Sequence, residues 1–207
     1  LVCIGATGAP ASLSGPMRAD KSRVYDAEGV EVVDQAIEIL GATVRERRAK
    51  PKPRPYVLID TREQAPLRFA PELGVDCGAA SLPVADYSVR GYTSLIALER
   101  KSVGDLIGTL TKGRERFENE LELMTQYRWR AILVEGRRGD VEAGIYRSLA
   151  TPQSIIGSLR AIWMRYGVPT FWCDDAPGCA REVAWFARRL ETKYPELKES
   201  NAQPNPT

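Results

Sequence analysis

From about residue 56 onward, apolar positions fall into two alternating textures, short unbroken runs and longer stretches with helical spacing. Tyr56–Asp60 (YVLID), 95–99 (LIALE) and 131–134 (AILV) are apolar over four or five consecutive residues, the pattern of strands buried on both faces. Residues 79–82 and Tyr87–Val89 read as two shorter strands on either side of a turn at Pro83, and 170–173 as a last strand. Between the strands, 114–126 places Phe117, Leu121 and Met124 on one helical face. Thr151 followed by Pro152 has the form of a helix start, a hydroxyl cap before a proline in the first turn. Ile155, Ile156, Leu159, Ile162, Trp163 and Tyr166 then mark one face of a helix ending before Gly167, and a final helix is expected over 178–190. Residues 136–144 read as a polar loop, and 103–111 are assigned no element. Strands alternating with helices predict an α/β fold in which helices flank a mixed sheet.

The first part of the chain has a different character. Residues 1–28 show no period and are expected to be disordered, and apolar residues from Val33 to Leu40 suggest a helix over 30–48. Arg45, Arg47, Arg48, Lys50, Lys52 and Arg54, with Glu46 between them, carry a local charge of +5 among Pro51, Pro53 and Pro55. Such a stretch is stiff and extended: a solvated spacer, or a contact to a nucleic-acid backbone. The chain thus divides into a disordered start (1–28), a helix with a basic linker (29–55), a folded domain (56–198) and a flexible tail (199–207). Leu1 in first place is read as a fragment or a non-AUG start, with Met17 as an alternative beginning.

Composition narrows the chemistry. Formal net charge is only +2, so affinity for nucleic acid must come from local clusters of Lys and Arg. No stretch approaches the roughly 18 apolar residues that a membrane span requires, so no membrane partner is expected and the location is read as cytoplasmic. Cys3, Cys77, Cys173 and Cys179 form no CxxC pair and suit buried thiols. The chain has no histidine, which excludes a Ser-His-Asp triad and a His-ligated zinc centre. Carboxylates with a hard metal ion are the equipment left for a hydrolase.

One stretch carries such equipment. Glu99 and Lys101 flank Arg100 at the end of an apolar strand, so they point to one face while Arg100 points to the other. A carboxylate to hold Mg²⁺ beside an ammonium to orient water or offset developing charge suits phosphodiester hydrolysis. Asp60 at a strand end, Asp86 at a strand start and Asp105 four residues beyond Lys101 can converge with them, with Glu63 close behind Asp60. Blander readings stand beside this one: Glu99–Lys101 as a surface ion pair, Asp60 as a turn cap, Asp105 as a first-turn helix acid.

The runs Ile59-Asp60-Thr61-Arg62-Glu63, Leu82-Pro83-Val84-Ala85-Asp86-Tyr87 and Leu98-Glu99-Arg100-Lys101-Ser102-Val103-Gly104-Asp105-Leu106 resemble the nuclease domain of the XPF family of structure-specific endonucleases. That family's signature is Gly-Asp, a variable gap, then Glu-Arg-Lys and three residues to Asp. The likeness extends through 107–110, Lys112-Gly113-Arg114, the strand ending at Glu135 and Phe171-Trp172-Cys173, covering about 56–197. It implies a restriction-endonuclease-like fold, Mg²⁺ or Mn²⁺ dependence, and cleavage of branched or flap DNA in repair or recombination. It also implies metal ligands at Asp60, Asp86 and Glu99, a catalytic lysine at Lys101, further signature positions at Arg100 and Asp105, and DNA contacts at Arg62, Lys112 and Arg114.

Two departures stand out. Ala85 replaces the signature glycine, and no Gly-rich hairpin pattern follows Leu197, so the tandem helix-hairpin-helix module of such nucleases is not expected. Trp163, Tyr166, Trp185 and Phe186 are read as core packing or as a homodimer face. A catalytically silent DNA-binding scaffold and a phage-type junction resolvase are the alternatives, and the packaging suits a bacterial or phage gene.

Overall fold

The computed structural model describes residues 54–199. The expected disordered start, the helix over 30–48, the linker up to Pro53, Cys3 and most of the tail lie outside the described residues. The centre is a six-stranded mixed sheet in the order β2-β1-β3-β4-β5-β6. The strands are β1 (Tyr56–Asp60), β2 (Asp76–Ala80), β3 (Tyr87–Val89), β4 (Ile96–Ser102), β5 (Trp129–Glu135) and β6 (Thr170–Trp172). β1 runs parallel to β2 and antiparallel to β3, which is antiparallel to β4. β4, β5 and β6 are mutually parallel neighbours.

Among the described residues five α-helices complete the layers: α1 (Val103–Thr111), α2 (Arg114–Met124), α3 (Arg138–Glu142), α4 (Pro152–Tyr166) and α5 (Ala176–Lys193). Side-chain alternation sorts the sheet's two faces. Leu98, Ala131 and Leu133 pack with Val57, Tyr87, Val89 and the α5 stripe Cys179, Val183, Ala184, Ala187 and Leu190. On the other face Ala97, Ile132 and Val134 meet Leu106, Ile107 and Leu110 of α1, Phe117, Leu121 and Met124 of α2, and Ile155, Leu159, Ile162 and Tyr166 of α4. β4 and β5 are therefore buried on both sides, which is why their sequences are continuous apolar runs. This is the restriction-endonuclease-like architecture expected from the sequence.

The ends of the helices follow from local chemistry. Ser102 caps α1 by accepting a hydrogen bond from Asp105 N, Thr151 caps α4 by accepting from Ser154 N, and Asp175 caps α5 by accepting from Gly178 N. α4 ends at Gly167, whose φ of 63° is the left-handed stop that glycine adopts without a Cβ clash.

Several boundaries differ from the sequence reading. The strand expected at 79–82 is displaced to Asp76–Ala80, because β2 is an edge strand whose largely exposed residues carry no apolar alternation. Residues 103–111 form α1, and the loop expected over 136–144 contains the short α3. The last helix begins at Ala176, two residues before its expected start, because Asp175 and Pro177 cap and open it. Cys173 and Cys179 are buried free thiols as expected, whereas Cys77 is exposed on β2. Among the described residues no helix is long and apolar enough to cross a membrane.

Candidate active site

The end of β4 organises the site. In the register of the sheet, Glu99 lies beside Ile132 and Lys101 beside Val134, both on the face covered by α1, α2 and α4. Lys101 Nζ donates to Glu99 Oε1 at 2.5 Å and sits 4.9 Å from the centre of the Phe117 ring on α2. Asp86 reaches the same strand end from the β3 side. Its backbone N donates to Leu98 O at 3.2 Å, and its Oδ2 accepts from Arg100 N at 2.8 Å. Neither Asp86 Oδ1 nor Glu99 Oε2 takes a hydrogen bond from any described residue.

Burial sets the charge state of these groups. Glu99 is 5% exposed, and desolvation lifts its carboxyl to about 7 although Lys101 pulls the other way; the Glu120 carboxylate adds to the rise. Asp86 is likewise pushed up to about 7, by burial first and by the Glu99 charge second. Burial disfavours the Lys101 ammonium, yet Glu99 holds its proton and its pKa lies above the usual lysine value. Two carboxyls that resist ionisation next to a retained ammonium form a site that gains from added positive charge.

Asp60 ends β1 and is 3% exposed. It is engaged in local structure: Oδ1 accepts from Arg62 N and Arg62 Nε, and Oδ2 accepts from Leu82 N and Arg62 Nη2, at 2.7–3.2 Å. Burial alone would raise this carboxyl, but these hydrogen bonds and the guanidinium charge hold it below its ordinary value. Arg62 also donates to Leu82 O, so the Asp60–Arg62 pair ties the end of β1 to the segment leading to Asp86. The Arg62 side chain is 69% exposed.

Arg100 points away from Glu99 and Lys101, as strand alternation requires. Its guanidinium pairs with Glu135 at the end of β5, lies 3.8 Å from Glu63, and donates to Ala65 O. Its Nε is buried with no partner in the structure. Arg100 thereby braces the segment after β1 against the ends of β4 and β5. Asp105 is exposed on the first turn of α1, where Ser102 Oγ donates to its Oδ2 at 2.7 Å. Lys112 and Arg114 are exposed at the junction of α1 and α2, and Arg114 Nε pairs with Glu118 at 2.9 Å. The clefts along α4, at Gln153 and Arg160 and at Trp163 and Trp172, involve none of these carboxylates.

The residue before Asp86 gives a further clue. Ala85 adopts φ 62°, the left-handed region where glycine is at ease and alanine is not. The position that demands a glycine conformation is the position where the XPF signature has glycine. The ERCC4 domain model matches residues 59–184, more than half of the chain. The chain belongs to the ERCC4 domain family. Its ERCC4 domain is also similar to the solved structure of XPF from Aeropyrum pernix, at 25% identity and a TM-score of 0.53 over 69% of this chain and 67% of that one. The same archaeal protein in complex with DNA matches at 28% identity and a TM-score of 0.54, over 68% and 66% of the two chains. The chain thus spans about two thirds of the length of those structures. No curated protein matches it at the sequence level.

For the ERCC4 domain, sequence reasoning missed two acids. Glu63 was noted only as a neighbour of Asp60, yet it faces Arg100 and its charge reaches Asp86. Glu120 is one of four glutamates of α2 that the sequence does not tell apart, yet it stands at hydrogen-bonding separation from Glu99. Helical spacing offered one signal: Glu120 follows Phe117 by three residues and so shares its side of the helix.

Proposed function

We propose that this protein is a divalent-metal-dependent DNA endonuclease that hydrolyses phosphodiester bonds at branched or flap structures in repair or recombination. The observation that carries the reading is the convergence of Asp86, Glu99 and Lys101 on one face at the end of β4. The archaeal relative's complex with DNA supports the substrate class.

The donors suit a hard cation. Among the described residues no three His, Cys, Asp or Glu side chains form a closed metal cage. A closed cage is not what Mg²⁺ requires, since it commonly takes one or two protein carboxylates and completes its shell with water and substrate phosphate. Asp86 Oδ1 and Glu99 Oε2 are two such oxygens. Asp60 can join them only by giving up hydrogen bonds to Arg62 or Leu82. Bound Mg²⁺ or Mn²⁺ would supply Lewis-acid polarisation of the phosphate and a more acidic water. Lys101 offsets negative charge growing on the phosphate, held in place by Glu99 and Phe117. Asp86 is fixed through Arg100 N, and Arg100 itself braces the scaffold from the other face. Arg62, Lys112 and Arg114 lie exposed and act as contacts to DNA phosphates.

A homodimer is a second element of the proposal, favoured by exposed tryptophans. Trp163 on α4 is 61% exposed and Trp185 on α5 is 49% exposed. Tyr166, by contrast, is buried in the core beneath α4, and Phe186 is partly buried against the core on the opposite face of the sheet. Trp163→Glu is expected to shift the protein from dimer to monomer in sedimentation equilibrium; a wild type that is already monomeric removes this part of the proposal.

The test of activity is cleavage of labelled flap, fork, four-way-junction and linear duplex DNA with Mg²⁺, Mn²⁺ or EDTA. Wild type is expected to cut branched DNA only with metal, and Asp86→Asn and Glu99→Gln to lose at least 100-fold in rate while still binding DNA. DNA binding without cutting under either metal would favour the silent scaffold. Cutting confined to four-way junctions would favour a junction resolvase.

A further inference from the structure

Lys101 is both an asset and an obstacle in this site. Its ammonium occupies Glu99 Oε1, and Glu99 is a carboxylate that the proposed cation needs. A lysine and a divalent cation repel each other, so a cation held at Glu99 Oε2 would weaken the hold of Lys101 on the neighbouring Oε1. Lys101 then needs another anion within a short side-chain swing.

Glu120 is placed for that task. α2 lays Phe117 beneath the Lys101 ammonium at 4.9 Å, and Glu120 sits one helical turn further along the same side. It is half-buried, at hydrogen-bonding separation from Glu99, with its charge acting directly on Lys101. Its neighbour Glu118 is committed to Arg114 and Arg165. Glu120, in contrast, pairs with no Lys or Arg among the described residues, and its hydrogen-bonding neighbour is the Glu99 carboxyl. Lys101 in turn has three N–H donors, and only the one to Glu99 has a partner among the described residues.

Building on the nuclease reading, we infer that Glu120 is a positioning residue that receives the Lys101 ammonium when Glu99 engages a divalent cation. The lysine pivots between two carboxylates over the Phe117 ring. Glu120 thereby lowers the cost of metal binding and keeps Lys101 aimed at the phosphate without ligating the metal itself.

The experiment is a thermodynamic cycle on Mn²⁺ affinity, read by electron paramagnetic resonance of the free ion and requiring no turnover. Four proteins are compared: wild type, Glu120→Gln, Lys101→Met and the double variant, with Glu122→Gln as a control on the exposed side of the same helix. Glu120→Gln is expected to weaken Mn²⁺ binding about tenfold, the scale of coupling between groups sharing one charge network. Lys101→Met is expected to tighten it, because a competing cation is gone. In the Lys101→Met background, Glu120→Gln should cost no more than about threefold, the residual through-space effect. An equal loss in both backgrounds overturns the inference by making Glu120 a metal ligand; no loss in either overturns it by making Glu120 inert. A wild type that binds no Mn²⁺ at all rejects the nuclease reading itself, a different failure. Circular dichroism and thermal melting of each variant confirm that the fold is intact.

Discussion

Ala85 shows how opposing local terms nearly cancel. A left-handed backbone costs an L-residue roughly 1–2 kcal/mol, which Ala85→Gly would recover. The same change gives up a buried methyl worth about 0.8 kcal/mol and adds backbone freedom to the unfolded chain worth roughly 0.5–1 kcal/mol. Ala85→Gly is therefore expected to alter stability by less than about 1 kcal/mol in urea denaturation. Ala85→Val has no such offset: a β-branched side chain at φ 62° is a steric outlier and the site is 5% exposed. It should cost more than about 2 kcal/mol and displace Asp86, so cleavage should fall with it. A valine variant as stable as wild type would show that this turn relaxes readily.

Among the elements, the N-terminus of α5 is built most tightly. Asp175 caps the helix through Gly178 N, and a Cβ placed on Gly178 would overlap the Cys173 carbonyl oxygen, a backbone atom with no rotamer to yield. Gly178→Ala is expected to destabilise the protein by about 3 kcal/mol or more, as overpacking against fixed backbone does, measured by chemical denaturation; unchanged stability would mean that the turn opens. Such constraints show where the sequence is informative. YVLID, LIALE and AILV announce β1, β4 and β5 because those strands are buried on both faces and must be apolar throughout. Edge strand β2 is built from Asp76 to Ala80, half of it wet, and its boundary is set by pairing to β1, not by its own composition. α1 went unseen because its apolar residues follow directly on β4 and its only start signal, Ser102, sits among signature residues. In the site, spacing offers Asp86, Glu99 and Lys101 only beside blander readings, and the likeness to the XPF signature is what singles them out. The partners that Asp60 and Arg100 adopt, and the approach of Glu120, arise from long-range packing that no local pattern encodes.

For the molecule as a whole, pH and metal act on one equilibrium. The Asp86 and Glu99 carboxyls titrate near 7 in the folded protein, against ordinary values of 3.8 and 4.5. Between about pH 4 and 7 the folded state thus keeps protons that the unfolded chain has lost, so metal-free stability should fall as pH rises through that window and level off above it. Asp60, whose carboxyl is lowered, acts only below its ordinary 3.8 and leaves this window untouched. Thermal melting in EDTA from pH 5 to 8 should show the decline, with a shallower slope for Asp86→Asn. Mg²⁺ should restore melting temperature at pH 8 and do little at pH 5, because the ion competes with protons for the same oxygens. A melting temperature that rises with pH in EDTA would contradict the buried-carboxyl account.

The opposite end of β4 has its own geometry. Glu199 accepts hydrogen bonds from Thr93 Oγ1, Ser94 N and Ser94 Oγ, and its backbone N donates to Gly91 O, which clasps the turn leading into the strand. Glu99 and Lys101 lie near the other end, five residues or more beyond Ser94 and so about 17 Å away along extended backbone. A surface tether or a fluorophore attached at Lys198, next to Glu199, would sit at the end of β4 remote from the carboxylates. A chip-immobilised form anchored there would present its acidic end to DNA arriving from solution.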